Sequence, residues 1–142
     1  MPRPDPALLN PARYPHREVI PTRFSDLDPQ GHINNVAMAT IFETARVRFN
    51  HAIGFGRGRV GGRWLVARVE INYLAEGHFP ADMLVASGIG TIGTRSWAIR
   101  SAAFQDGVAI ATCDVTVVIS SQGGVTAMSD DTRATLEANR LL

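Results

Sequence analysis

The feature that most constrains the fold of this sequence is one long helix-like run followed by several strand-like runs. From about Asn35 to Ala52, apolar residues recur at positions i, i+3 and i+4, the rhythm of an amphipathic helix with a broad buried face. Four apolar, strand-like segments follow: Trp64 to Leu74, Met83 to Ile92, Ser96 to Phe104 and Val108 to Ile119. Their separators contain Gly, Asp or Pro, and Gln105-Asp106-Gly107 predicts a tight hairpin. This order predicts an α+β fold in which an antiparallel sheet packs on one long helix.

The rest of the chain carries weaker signals. Residues 1–16 contain five of the eight prolines and predict an extended or poorly ordered N-terminal arm, which leaves residues 17–142 as a single domain. The remaining predicted elements are a first strand within Arg17 to Phe24, a short strand near Gly124 to Met128, and a short helix that Asp130 or Asp131 caps and that reaches about Asn139. Three polar residues of the long helix are expected opposite its buried face: Glu43, Arg46 and Asn50.

Composition excludes several classes of function. The net charge of +1 lacks the basic excess of a nucleic-acid-binding surface, and no apolar run approaches the length of a membrane span. All fourteen basic residues are Arg, so no lysine can form a Schiff base. The single cysteine, Cys113, excludes an intrachain disulfide and is expected to be a buried, inert thiol. We therefore expect a soluble, cytoplasmic protein with neither nucleic acid nor membrane as a partner.

Polar residues are concentrated directly before the long helix. Asp26, Asp28, His32, Asn34 and Asn35 fall within ten positions that end where the helix begins. The N–H groups at a helix start lack intrahelical partners and carry a partial positive charge, so they suit an anion or a developing oxyanion. A carboxylate beside such donors can attack an activated carbonyl or activate a water against it. The pattern indicates acyl transfer or hydrolysis.

The loop and helix resemble a known enzyme family. The run from Phe24 to Asn35, with Phe42-Glu43-Thr44-Ala45-Arg46 on the helix, is similar to acyl-CoA thioesterases of the 4-hydroxybenzoyl-CoA thioesterase type. Ile92 to Ser96 and Asp106 to Thr112 also resemble strands of that family, and the resemblance extends over roughly Arg17 to Leu136. It implies the hotdog fold, in which an antiparallel sheet wraps around one long central helix. It also implies hydrolysis of an acyl-CoA thioester with no cofactor, neither a metal nor a redox group.

The resemblance assigns roles to the residues of the loop. It implies that Asp28 is the catalytic carboxylate, as nucleophile or general base, and that the backbone N–H of Asn35 polarises the thioester carbonyl. Asp28 as a simple loop cap is the alternative. His32 either orients a water or a loop carbonyl, or packs to fix the loop, and the Asn34 side chain either caps the helix or contacts substrate. Met38 stands where many relatives carry tyrosine, which changes the expected pocket lining.

Other residues have weaker sequence signals for a role in the site. Asp26 is expected to be structural, accepting N–H bonds within the loop, and Glu43 to pair with Arg46. Arg95 and Ser96, at the start of a strand, are candidates for contact with the nucleotide of coenzyme A. Three further arginines lie in a glycine-rich segment and either meet the same phosphates or form a solvated loop: Arg57, Arg59 and Arg63.

Two other functions fit the same residues. The substrate could be an acyl group on a carrier protein rather than on free coenzyme A, or the chain could be a non-catalytic hotdog subunit that binds acyl thioesters. The complete Asp-x-Asp and Gly-His-x-Asn-Asn residues argue against the non-catalytic alternative. The resemblance further implies a homodimer or homotetramer with active sites at the subunit interface.

Overall fold

The computed structural model describes residues 3–56, 63–121 and 123–142. Within these ranges the chain forms six β-strands and two α-helices: β1 (His16–Ile20), α1 (Asn35–Ala52), β2 (Arg63–Tyr73), β3 (Met83–Ile92), β4 (Ser96–Gln105), β5 (Val108–Ser121), β6 (Gly124–Val125) and α2 (Asp130–Ala138). Each element predicted from the sequence is present, with ends that differ by a few residues at most.

The strands form one antiparallel sheet in the order β1-β3-β4-β5-β2, with β6 added to β5. β1 and β2 are the two edges of this sheet. The sheet is curled, and the long helix α1 lies on its concave side, in contact with β1, β3 and β4. The hairpin between β4 and β5 has positive φ at Asp106 (49°) and Gly107 (77°), as a two-residue turn of type I′ requires. The predicted α+β architecture is confirmed.

The core lies between α1 and the sheet. The helix buries an apolar stripe at i, i+3 and i+4 spacing against the strands: Ala37, Met38, Ile41, Phe42, Ala45 and Phe49. Burying a side chain as large as phenylalanine stabilises the fold by about 1.5–3 kcal/mol. Met38 is 2% exposed, so within this chain it is a core residue rather than a pocket wall.

The face of α1 that was expected to be polar and exposed is largely buried. Glu43 is exposed, but Arg46 is 9% exposed and Asn50 is 2% exposed, so the prediction that all three face polar surroundings is wrong for two of them. The reason is that the curled sheet contacts α1 through several strands and encloses more of its circumference than one flat face would. The predicted pairing of Glu43 with Arg46 is present, at 3.8 Å.

The N-terminal arm also differs from the prediction of an extended segment. Pro6–Leu9 and Pro11–Arg13 form 3₁₀ turns, each capped by the side chain before it, Asp5 and Asn10. Tyr14 then packs into a small second core, 1% exposed, and its hydroxyl donates to the Leu8 carbonyl oxygen at 2.7 Å. A proline at the first position of a turn has no N–H to leave unpaired, so these prolines start turns instead of extending the chain.

One edge of the sheet is left uncovered. Val66 and Val69 of β2 pair in register with Val117 and Val115 of β5 and therefore share their face of the sheet. The two β5 valines are fully buried or nearly so, whereas Val66 is 45% and Val69 50% exposed. The concave face of β2 is therefore apolar and about half exposed at these two valines.

Candidate active site

The loop before α1 is held in shape by its own backbone. Leu27 and Ile33 form an isolated antiparallel bridge, which brings the two ends of the loop together. The Asp28 N–H donates to the His32 carbonyl oxygen at 2.8 Å, and the Gly31 N–H donates to the Asp28 carbonyl oxygen at 3.0 Å. Gly31 has φ +83°, a conformation that side chains disfavour, so glycine is needed at this turn.

The Asp28 carboxylate takes part in this loop. Its Oδ1 atom accepts from the N–H of Gln30 at 2.9 Å and from the N–H of His32 at 3.1 Å. The residue is partly exposed, and Oδ2 makes no hydrogen bond to residues 3–56, 63–121 or 123–142. One oxygen therefore fixes the orientation of the carboxylate, and the other remains open for a water or a substrate atom.

The start of α1 lies directly beside the loop. The Asn34 N–H donates to the Asp26 carbonyl oxygen at 2.9 Å, and the Asn34 side-chain oxygen caps the helix by accepting from the Ala37 N–H at 2.7 Å. The Asn35 carbonyl oxygen accepts from the Tyr73 hydroxyl at 3.2 Å. The N–H of Asn35, in contrast, has no acceptor among the residues that the structure describes. This donor is available to an oxyanion.

Removing the helix cap gives a first test of this arrangement. We expect Asn34→Ala to lower the free energy of unfolding by about 1 kcal/mol, because the Ala37 N–H loses its acceptor. We also expect a lower kcat, because the cap sets where the Asn35 N–H points. Ser129→Ala, which removes the equivalent cap from α2, is the matched control: denaturant unfolding should show a similar loss of stability with unchanged kcat. Equal kcat in the two variants would contradict a positioning role for Asn34.

His32 meets the side chains of Glu76 and His78, which lie outside the loop. Its Nε2 atom lies 3.0 Å from Oε2 of Glu76, and its ring meets the ring of His78 edge-on with centroids 5.6 Å apart. The segment that carries both neighbours is held because the Ile33 N–H donates to the Gly77 carbonyl oxygen. Glu76 was missed by the sequence reasoning, since it belongs to a separator 44 positions beyond His32. Its only sequence signal is a carboxylate in a glycine-containing turn.

Asp26 is structural, as expected. It is 3% exposed, and its carboxylate accepts from the Arg23 N–H at 2.8 Å and from the Arg23 guanidinium at 2.9 Å. These bonds close a turn and occupy both carboxylate oxygens. Asp26 therefore positions the loop and leaves Asp28 as the accessible carboxylate of the pair.

Arg95 and Ser96 do not lie beside Asp28 within one protomer. Ser96 pairs with Val118 near the end of β5, and Trp97 packs against Phe55, just past the C-terminal end of α1, with ring centroids 6.0 Å apart. The Asp28 loop is at the other end of the helix. Two of the other arginines considered for phosphate contact, Arg57 and Arg59, fall outside the described residues, and Arg63 begins β2.

A large cleft opens at the same end as Arg95. It lies between the C-terminal half of α1 and the start of β2 and has a volume of about 950 Å³. A smaller cavity of about 350 Å³ adjoins Glu76 and His78, close to the loop. The larger cleft is within the size range of small-molecule sites. However, Asp28 of the same chain lies roughly 22 Å away along the axis of α1.

Cys113 is a buried thiol, as predicted. It is 4% exposed, and burial raises the pKa of its thiol to about 11, an effect that the nearby Arg46 partly opposes. The thiol is therefore protonated at neutral pH and unsuited to nucleophilic attack.

The raised pKa of Cys113 has a consequence at alkaline pH. Between about pH 9 and pH 11 the unfolded chain releases the thiol proton and the folded chain keeps it, so stability falls as pH rises. The slope from this group approaches about 1.4 kcal/mol per pH unit. Burial also raises the pKa of Tyr14, to about 12. Measurements on the parent alone therefore do not separate the contribution of Cys113 to the pH dependence of stability from that of Tyr14. Chemical denaturation at pH 8–11 should show that the free energy of unfolding falls less steeply with pH in Cys113→Ala than in the parent. Parallel curves for the two proteins would contradict a contribution from Cys113.

Metal sites and membrane spans are both absent from the described ranges. No group of three His, Cys, Asp or Glu residues there is arranged to hold a metal ion. Of the helices in that part of the chain, none has the length and apolar character needed to cross a membrane.

The family follows from a comparison with known proteins. The model of the thioesterase-like superfamily matches residues 22–136, well over half of the chain. The chain belongs to the thioesterase-like superfamily. No protein of curated function matches it. The match includes the Asp28 loop, α1 and all the long strands of the sheet, and membership supports thioester hydrolysis as the class of reaction.

Solved structures of thioesterases have the same fold. A predicted thioesterase from Bacillus stearothermophilus is 27% identical with a TM-score of 0.78, over 87% of this chain and 95% of that one. A thioesterase from Thermus thermophilus, complexed with coenzyme A and Zn, is 25% identical with a TM-score of 0.79, over 89% and 95%. A thioesterase-superfamily protein from Jannaschia sp. CCS1 is also 25% identical, with a TM-score of 0.79, over 92% and 86%. The hotdog fold is confirmed, and the narrower 4-hydroxybenzoyl-CoA thioesterase-like branch stays a prediction.

Proposed function

We propose that this member of the thioesterase-like superfamily is an acyl-CoA thioesterase that uses Asp28 as its carboxylate and the Asn35 N–H as its oxyanion donor. The observation that carries the proposal is the fixed Asp28 loop beside a helix start whose first N–H has no acceptor in the described residues. One oxygen of Asp28 is held by two backbone N–H groups, and the other is open. A preorganised donor at a helix N-terminus stabilises the negative charge of a tetrahedral adduct.

The reaction consumes one water and one thioester and yields a free acid and coenzyme A. In the first route, Asp28 attacks the carbonyl carbon, the thiolate leaves and is protonated, and water hydrolyses the mixed anhydride. In the second route, Asp28 takes a proton from a water, whose oxygen forms the new C–O bond as the C–S bond breaks. The Asn35 N–H holds the carbonyl oxygen in both routes.

The neighbouring polar residues position the Asp28 carboxylate and the Asn35 N–H. The Asn34 side chain is occupied by the Ala37 N–H, so in this proposal it positions the helix start, and any substrate contact comes from its remaining amide N–H groups. In this proposal His32, held against Glu76, fixes the loop and orients a water. Neither residue replaces Asp28 as the nucleophile or the general base.

The coenzyme A donor is supported by the Thermus thermophilus thioesterase, whose structure contains coenzyme A. In this proposal Arg95 and Ser96 contact the nucleotide part of the substrate. Both residues lie near the C-terminal end of α1, whereas the Asp28 loop of the same chain lies at its N-terminal end. They would therefore serve the Asp28 loop of a second copy. An arginine suits this role because its guanidinium binds phosphate oxygens in pairs.

We therefore propose a homodimer in which two β2 strands pair edge to edge. A second copy would cover the half-exposed Val66 and Val69 and satisfy the open edge of the sheet. Two-fold pairing of antiparallel strands also sets the two α1 helices antiparallel, so the start of one lies beside the end of the other. The Asp28 loop of each copy then faces the large cleft and Arg95 of its partner.

Thiol release from a graded panel of acyl-CoA esters, with the same acyl groups on carrier protein in parallel, tests the function. We expect multiple turnovers on the CoA esters. Turnover only on the carrier-protein esters would mean that the acyl donor is a carrier protein and not coenzyme A. Tight binding of both kinds of ester without turnover would identify a non-catalytic subunit. Either result overturns the proposal as stated.

A further inference from the structure

A buried glutamine holds the turn that lies beside the Asp28 loop. Gln105 ends β4, is 5% exposed and uses both halves of its carboxamide. Its Oε1 atom accepts from the His78 N–H at 2.8 Å, and its Nε2 atom donates to the carbonyl oxygens of His78 at 2.7 Å and Ala81 at 3.0 Å. Residues 74–82 form neither helix nor strand, so the carboxamide takes the place of a strand partner for this turn.

The same turn supports the Asp28 loop through the backbone. Gly77 directly precedes His78, and its carbonyl oxygen accepts from the Ile33 N–H at 2.9 Å. The residue before Ile33 is His32, whose N–H donates to Asp28 Oδ1 at 3.1 Å and whose carbonyl oxygen accepts from the Asp28 N–H at 2.8 Å. Each step is a hydrogen bond or a peptide link, so an unbroken path joins the buried carboxamide to the Asp28 carboxylate.

Side-chain packing strengthens the contact between the turn and the loop. Glu76 Oε2 lies 3.0 Å from His32 Nε2, and the rings of His78 and His32 meet edge-on. An atom placed at the Cβ position of Gly77 would lie 3.1 Å from Cγ1 of Ile33, so the two segments are packed closely as well as hydrogen-bonded. Closely packed contacts transmit a displacement, so a shift of the turn is passed on to the loop.

We infer that Gln105 is a positioning residue of the proposed thioesterase site, which sets the place of the Asp28 carboxylate through residues 76–78 and does not touch the substrate. This inference rests on the proposed function. The local hydrogen bonds of the loop fix its shape, whereas the path from Gln105 fixes where that shape lies on the fold. Gln105 belongs to β4, the middle strand of the sheet, so the path ties the loop to a strand paired on both sides. A reacting group misplaced by about 1 Å can lose about 10²-fold in rate.

Gln105→Met removes the three hydrogen bonds with little change in side-chain size. We expect kcat on acyl-CoA esters to fall about ten- to hundredfold and KM to change by less than about twofold, because the substitution moves the carboxylate and leaves substrate contacts intact. The melting temperature should fall by roughly 5–10 °C, since buried backbone groups of the turn lose their partners. An unchanged kcat would overturn the inference. A higher KM with the parent kcat would also overturn it, because it would mean that Gln105 contacts the substrate.

Ser101→Ala is the matched control for lost stability. Ser101 lies on the same strand, is also 5% exposed, and its Oγ atom is hydrogen-bonded to Oγ of Ser87 at 2.8 Å. Its loss should lower the melting temperature and leave kcat unchanged, and an equal loss of kcat in the two variants would contradict positioning by Gln105. Gln105→Glu is the second variant if the methionine variant does not fold. It retains an acceptor for the His78 N–H and loses the donors, and its kcat should fall about fivefold or more.

A double-mutant cycle tests whether the effect of Gln105 passes through Asp28. In the Asp28→Asn background we expect Gln105→Met to change the residual kcat by less than about twofold, because the group that Gln105 positions no longer reacts. The melting temperature should still fall as it does in the single variant. Independent, additive losses of kcat would mean that Gln105 acts on another part of the site, and the inference would be wrong.

Amide hydrogen exchange separates this inference from the proposed function, because it needs no substrate. We expect the N–H groups of His32 and Ile33 to exchange at least about tenfold faster in Gln105→Met than in Ser101→Ala. Equal exchange in the two variants would break the path. If thioesters are hydrolysed and Gln105→Met keeps the parent kcat, the inference is wrong and the function stands. If no thioester is hydrolysed but the exchange differs as expected, the function is wrong and the support of the loop by Gln105 stands.

Discussion

Asp28→Asn is expected to lower kcat on acyl-CoA esters by about 10²–10⁴-fold with little change in stability, because the substitution removes a base or nucleophile and keeps the shape of the loop. Asparagine retains an oxygen that can accept from the Gln30 and His32 N–H groups, as Asp28 Oδ1 does. The loop bonds therefore survive, and the measurement reports on the charge alone. Steady-state kinetics by thiol release, with thermal unfolding of the same samples, gives both quantities.

Asp82→Asn is the matched control for that substitution. Asp82 is exposed and lies in the segment before β3, and the same change of one oxygen to nitrogen there should leave kcat unaltered. A pre-steady-state burst of thiol release, measured on the parent with substrate in excess over enzyme, would favour the anhydride route over activation of a water. Full activity in a normally folded Asp28→Asn protein would remove Asp28 from the chemistry and leave it as a loop cap.

The elements of this fold could be predicted because their signals are local. Asn34 followed by an i, i+3, i+4 apolar stripe sets the start of α1, and Asp106-Gly107 sets the hairpin between β4 and β5. The Asp28 loop could be predicted for the same reason, since the hydrogen bonds of Asp28 itself join residues at most four positions apart. Such features depend on a short stretch of sequence and on little else.

The residues that sequence reasoning missed depend on tertiary contacts. Glu76 reaches His32 only because the Gly77 carbonyl oxygen pairs with the Ile33 N–H. Arg46 and Asn50 have the periodicity of a polar helix face, but the curled sheet covers them. The curvature of a sheet arises from the packing of all its strands, so no window of the helix sequence contains it.

Val69→Glu is expected to convert a dimer into monomers and to lower activity in proportion. Val69 lies next to the midpoint of β2, so two-fold pairing of the edges brings the two copies of this residue close together. An unpaired carboxylate buried there costs about 3–5 kcal/mol, which corresponds to at least about 10²-fold weaker association. Sedimentation equilibrium over a range of protein concentrations measures this directly.

Val19→Glu distinguishes the interface from a general effect of a new charge. Val19 is 51% exposed, close to the 50% of Val69, but it lies in β1, at the opposite edge of the sheet from β2. It should keep the mass and the activity of the parent. For Val69→Glu, activity per chain should recover as protein concentration rises, because reassociation restores a site made from the Asp28 loop of one copy and the cleft of the other. A Val69→Glu monomer with full activity at every concentration would mean that one chain holds the whole site, and the pairing of loop and cleft across a dimer would be wrong.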